Sequence, residues 1–175
     1  MGRVRKVSKA RLRQREKDQS AVEWLEWLAG MDAALGTFFA VDVPDMPVEP
    51  FTAAGLDHAE RALMDKFSSA EMLLAIENAG VADRFQRFLG EAFIRSGFGG
   101  RWLNVRITDD DTDVFFRRRG FEPVICQPFT SAFLDVGSLV LGAVEVRTGH
   151  EWSWVYGNCV VDYEDWVAEG RPKIS

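Results

Sequence analysis

Arg117, Arg118 and Arg119 stand side by side near the middle of the chain. Guanidinium groups grip carboxylate or phosphate in a forked geometry, so the trio is a candidate anion site. Neighbours on a strand point to opposite faces, however, and three in a row cannot converge on one ligand. Charge on an exposed strand and turn, which discourages edge pairing, is the competing reading and the favoured one. A second candidate is aromatic. Trp152, Trp154 and Tyr156 alternate in HEWSWVYGNCVVDYEDW, and on a strand all three would share one face. Left open, that face would be a contact patch, because Trp and Tyr are favoured interface anchors. Closed, it would finish the core, the commoner fate of an aromatic stripe.

Other reactive residue types fall short of a motif. Acids at 109, 111 and 113 alternate as at the start of a calcium loop. Such a loop needs Gly at its sixth position and Glu at its twelfth, where Val114 and Gly120 stand. His58 and His150 lie far apart and form no HxxxH, HExxH or Cys–His pattern. Cys126 and Cys159 have neither CxxC spacing nor the look of a disulfide framework. Cys159 with His150 is the one conceivable nucleophile–base pair, and no third group is evident to orient it. Gly97, Gly99 and Gly100 follow a helix instead of opening one, so the dipole there has the wrong sign for a phosphate cradle. No catalytic residue, metal ligand or cofactor is expected from these patterns.

The elements that would position such groups are clearest over 83–107, DRFQRFLGEAFIRSGFGGRWLNVRI. Phe85, Phe88, Leu89, Ala92 and Phe93 form one apolar stripe of a helix, with Arg84, Arg87, Glu91 and Arg95 on a face read as solvated. Asp83 is the expected cap and Gly97 the left-handed stop. After a glycine turn, 102–107 alternates as a strand, with Trp102, Asn104 and Arg106 facing one way and Leu103, Val105 and Ile107 the other. Ala21–Leu35 reads as one helix with Trp24, Leu28, Met31 and Leu35 inward, Leu25 beside them and Trp27 at the edge. Three prolines in 41–50 exclude a helix there. A helix is predicted over Leu56–Phe67, and a Ser68–Glu71 capping box opens another that stops at Gly80. The polar run 108–113 suits a hairpin connection, and 113–126 should give two strands turning near Gly120. Residues 129–148 mix helical spacing with strand-favouring valines and two interior glycines, and the spacing favours a helix capped by Thr130 and stopped by Gly149.

Charge is uneven. Residues 1–17 carry eight basic side chains and one acid, a net +7, which leaves 13 basic and 26 acidic residues, −13, in the remainder of a chain whose total is −6. Such an arm suits nucleic acid phosphates or an acidic partner. No aromatic residue interleaves it to stack on bases, which favours a solvated arm instead. Apolar runs are interrupted well before membrane-spanning length and no targeting segment opens the chain, so a cytoplasmic protein with no membrane partner is expected.

LGEAFIRSGFGGRW at 89–102 and EPVICQPF at 122–129 together resemble a pattern in small bacterial proteins of unknown function. There an LGE…GGxW helix–strand junction is followed by strands, a proline and a helix, and some relatives are presumed immunity proteins beside secreted toxins. The matching residues are Leu89, Gly90, Glu91, Gly99, Gly100, Trp102, Pro123 and Pro128. The resemblance implies an α+β fold and no reaction.

The expected organisation is a basic flexible arm over 1–18, an N-terminal helix over 19–40, a Pro-rich linker over 41–50 and an α+β domain over 51–175. Its architecture is a helical N-terminal section and a small antiparallel sheet covered by helices. The expected function is non-catalytic binding that recognises or neutralises another macromolecule, with a protein as the expected partner and contacts at Trp152, Trp154, Tyr156, Arg117, Arg118 and Arg119. Two alternatives stay open: an enzyme with a scattered active site, and nucleic-acid contact through the basic arm.

Overall fold

A computed structural model describes residues 9–106 and 119–174, with side chains from Arg13 onward. Its architecture is α+β: eight α-helices among the described residues and a three-stranded antiparallel sheet. Helices α1 (Lys9–Asp18), α2 (Val22–Ala29) and α3 (Met31–Thr37) come first, and a short π-helical turn, Phe38–Asp42, extends α3. Then follow α4 (Ala53–Lys66), α5 (Ala70–Leu74), a 3₁₀ turn at Ile76–Asn78, and α6 (Ala79–Arg95). Strands β1 (Arg101–Asn104), β2 (Pro123–Cys126) and β3 (Phe133–Asp135) lead into α7 (Val136–Val146) and α8 (Glu151–Ala168). β2 is central, with Trp102 opposite Ile125 and Ile125 opposite Leu134.

Helix α6 is the axis of the molecule. It touches α3, α4, α5, α7 and β2, and Phe85, Phe88, Leu89, Ala92 and Phe93 are all fully buried. The expected apolar stripe is therefore real, but the face read as solvated is so only at Arg95, with Arg84 partly exposed. Arg87 and Glu91 are buried too, because α2, α3 and Trp102 cover that side. A helix enclosed on both sides keeps a charged stripe only by pairing it. Asp83 is no cap, since α6 begins a turn earlier at Ala79 and Gly80 lies inside it rather than stopping a preceding helix. Gly97 does adopt the left-handed conformation just past the helix end, at φ 84°.

The N-terminal section joins the same core. Trp24, Trp27, Met31, Leu35 and Phe38 belong to one hydrophobic cluster with α4, α6, α7 and Trp152 of α8. The expected single helix over 21–35 is broken at Gly30 into α2 and α3. Trp27 is not an edge residue: it is buried, stacked on Trp24 at 5.3 Å and met edge-on by Trp102 at 5.0 Å. Within 41–50 there is no helix beyond Asp42, as the prolines require, yet Val43 is buried and Asp42 is bidentate to Arg84. Residues 9–18 of the expected flexible arm form α1. Its end is fixed to the sheet edge, where the Gln19 amide both donates to Asn104 O and accepts from Asn104 N, at 2.6 and 2.9 Å.

Local signals moved other boundaries. Thr52 accepts from Gly55 N and opens α4 three residues before Leu56. Ser69, not Ser68, caps α5 by accepting from Met72 N. The strand expected over 102–107 ends at Asn104 and β2 occupies the end of 113–126, while residues 107–118, with the hairpin segment, its calcium-like acids and the start of the other expected strand, lie outside the described residues. Between 129 and 148 the chain first makes β3. Asp135, whose carboxylate accepts from Ser138 N, is the true cap of α7, while Thr130 only bonds Ala132 N.

Candidate functional site

The two expected sites fare differently. Arg117 and Arg118 lie outside the described residues. Arg119 donates to Asp83 Oδ1 at 2.9 Å, and its guanidinium sits 5.5 Å from the Phe121 ring centre. Asp83 also accepts from Trp27 Nε1 and Arg87 Nε, each at 2.7 Å. Arg119 is thus committed to a structural hub. Arg87 completes that hub by donating to Trp27 O and lying 4.1 Å over the Trp27 ring.

The aromatic trio is not on a strand. Residues 151–168 form α8, where positions two apart differ by about 200° around the axis, so the three rings cannot share a face. Trp152 is fully buried and donates to Leu139 O at 3.0 Å. Tyr156 is half-buried against Phe93 and Phe98, at 5.6 and 5.5 Å, and desolvation raises its phenol pKa. Trp154 points outward and is 67% exposed. The stretch 152–166 does carry a helical signal: Trp152, Tyr156, Cys159, Tyr163 and Trp166 fall at i, i+4, i+7, i+11 and i+14. Five residues of period two hid fifteen of period 3.6.

Around Trp154 the surface is concave. Thr148, His150, Glu151 and Trp154 line an open groove of about 430 Å³ at the start of α8. That end of the helix is anchored by Glu60, a fully buried carboxylate on α4 that accepts from Glu151 N at 3.1 Å and Trp152 N at 2.8 Å. Two helix N–H groups thereby gain an acceptor of favourable charge. Burial raises the Glu60 pKa more than these two bonds lower it. Arg147, the residue that caps the end of α7 just before α8, ties the turn between those helices to the end of α4, donating to Met64 O at 2.8 Å and Phe67 O at 2.9 Å. Trp154 is consequently displayed from a rigid helix end.

Catalytic geometry is weak beside this. His150 Nδ1 lies 3.1 Å from Asp57 Oδ2, an arrangement that can orient an imidazole. Cys159, the expected nucleophile, is nine residues further along α8, about 13 Å of rise away. Its thiol is buried, with a pKa raised mainly by desolvation, and donates to Gln127 Oε1 at 3.6 Å. Such a thiol is poorly disposed to ionise. Among the described residues no group of three His, Cys, Asp or Glu side chains is placed to hold a metal ion.

A second groove was not foreseen. It has a volume of about 410 Å³ and lies between the β2–β3 loop and the segment after α8, with Cys126, Gln127, Thr130, Ser131, Trp166, Arg171 and Lys173 on its walls. The chain returns there because α8 ends in a Schellman turn. Gly170 N bonds Val167 O, Arg171 N bonds Trp166 O, and Gly170 is left-handed at φ 81°. The sequence signal was Gly170 followed by Pro172 after a long helical stripe. Pro172 O then accepts from Trp166 Nε1 at 2.9 Å, and Arg171 covers the Trp166 ring.

Comparison with family models, with curated proteins and with solved structures yields no match to this chain. No helix among the described residues is long and apolar enough to cross a membrane.

Proposed function

We propose that this chain is a non-catalytic binding protein that recognises another protein through the Trp154 surface. The observation that carries this reading is a tryptophan 67% exposed on an anchored helix end, beside an open groove. Large aromatic side chains supply much of the energy at interfaces, and a rigid display lowers the entropy lost on docking. The groove adds His150, Thr148 and Glu151 as polar neighbours to fix orientation. Neutralisation of the partner, as in immunity proteins, is the specific form that the LGE…GGxW resemblance suggests.

The test uses Trp154→Ala beside Val161→Ala, a second exposed apolar residue on α8. A partner is captured by the wild-type chain, purified, and titrated against all three proteins. Trp154→Ala should weaken binding by about 2 kcal/mol, roughly thirtyfold, without shifting the melting temperature. Equal affinity of wild type and Trp154→Ala would remove the α8 surface as the site.

A second reading has its own observation. Helix α1 carries Lys9, Arg11, Arg13, Arg15 and Lys17 in ten residues, and Arg13 and Lys17 are exposed. A basic helix held at a sheet edge suits an anionic polymer such as nucleic acid.

A further inference from the structure

We infer that the groove between the β2–β3 loop and residues 171–174 is a binding site for a small organic anion, one bearing a carboxylate or phosphate group. The deciding residue is Gln127, which lines the groove and is only 4% exposed. Its Oε1 accepts the Cys159 thiol, and that bond orients the amide. Nε2 is left buried and without a hydrogen-bond partner. Native proteins rarely leave a buried donor unmatched, because its desolvation costs about 1–3 kcal/mol. An unmatched amide in the lining of a groove calls for an acceptor from outside the chain.

The other lining groups present the same polarity. Arg171 and Lys173 are cationic, Thr130 and Ser131 carry hydroxyls, and no carboxylate side chain is among the described lining residues. Neither Arg171 nor Lys173 is in an ion pair with a carboxylate of the described residues. In a chain of net charge −6, a groove whose described lining has two cations and no acidic side chain selects for negative charge. Trp166 supplies an apolar wall for the body of the ligand, and the volume of about 410 Å³ suits a small molecule. The Schellman turn makes this a built feature, since it sets Arg171 against Trp166 and brings Lys173 back to the β2–β3 loop.

Phenyl phosphate and benzoate distinguish the two anion chemistries. Each is titrated into the ¹⁵N-labelled full chain at constant ionic strength, with sodium chloride as the control. The Gln127 side-chain NH₂ pair and the Trp166 indole N–H are followed. Saturable shifts at both signals with either aryl anion, and none with chloride, are expected, and the anion that acts identifies the head group. Arg171→Gln with Lys173→Gln changes only exposed side chains and should weaken binding about tenfold or more, since each lost charged contact is worth roughly a decade. Gln127→Met should abolish the Trp166 response, with its amide spectrum confirming that it folds, and an undiminished Trp166 shift there would count against the inference. No saturable shift with either anion would overturn the inference, as would unchanged affinity in the Arg171→Gln, Lys173→Gln chain.

Discussion

Replacing Gly90 with alanine tests the junction at the centre of the molecule. Alanine is the better helix former by about 1 kcal/mol, so on propensity alone the change within α6 should stabilise. The structure reverses that sign. A Cβ at Gly90 would overlap Cη2 and Cζ2 of the Trp102 indole and come within 2.9 Å of Cζ3. The ring cannot retreat freely, because Trp102 Nε1 donates to Glu91 Oε1 at 2.8 Å and Trp27 packs edge-on against it at 5.0 Å. Moving it far enough to clear a methyl group would lengthen the bond to Glu91, a buried carboxylate otherwise held by Arg95 Nε at 2.8 Å. Weakening a hydrogen bond to a charged group costs about 1.5–3 kcal/mol. Overpacking adds about 1–3 kcal/mol. Less the helix gain, Gly90→Ala should destabilise by about 1.5–5 kcal/mol. Trp102→Leu removes the obstructing ring, and in that background Gly90→Ala should be neutral or stabilising. Urea unfolding of the four proteins gives the coupling energy directly, expected at about 3 kcal/mol. Coupling below about 0.5 kcal/mol, or a wild-type background in which Gly90→Ala stabilises, would refute this account of the junction.

Three further predictions concern α4, α6 and α8, and a fourth the basic helix. Burial raises the Glu60 pKa above its ordinary 4.5, so the native state holds this proton more tightly than the unfolded chain and Glu60 makes stability fall as pH rises through the interval. Wild type minus Glu60→Gln, measured by urea unfolding from pH 4 to 7, should therefore decline with rising pH, and a flat difference would contradict it. Gln86 is fully buried with neither amide atom bonded, so Gln86→Met should raise stability by about 1 kcal/mol, and a comparable loss would show that the amide is satisfied. Trp152→Ala should cost about 3–5 kcal/mol and Trp154→Ala less than about 0.5, read by calorimetry, because the first ring is enclosed and the second is not. If α1 contacts nucleic acid, Arg13→Gln with Lys17→Gln should reduce the slope of log affinity against log salt by about two in a gel-shift series, and absence of binding at low salt would end that reading.

The junction also bears on what the sequence could show. Gly90, Glu91, Gly99, Gly100 and Trp102 were legible as a glycine-rich helix–strand junction, but their spacing does not say what they do together. Folded, they form one packing unit: Gly90 makes room for the indole, Glu91 accepts its N–H, and Gly99, left-handed at φ 74°, turns the chain so that Trp102 returns over the helix. The Trp154 surface was legible only as a named residue. Its exposure depends on whether 152–156 is strand or helix, and α8 settled that by burying Trp152 against α7. The Gln127 groove was not legible, since its walls come from residues 126–131 and 166–174 and meet only through the turn at Gly170.

What the sequence alone determined was local. A 3.6-residue stripe marked α6, three prolines ended the helical section after Asp42, Gly97 stopped α6, and the change of period after it announced β1. Each of these follows from backbone sterics or from burial of one face, which neighbouring residues encode directly. Tertiary structure decided which faces were covered. The stripe Arg87–Glu91 became interior because helices from distant parts of the chain closed over it, and it survives there by pairing with Asp83, Arg95 and the indoles of Trp27 and Trp102. A charged residue in sequence is solvated or buried according to what packs on it, and that depends on contacts between segments the local pattern does not encode.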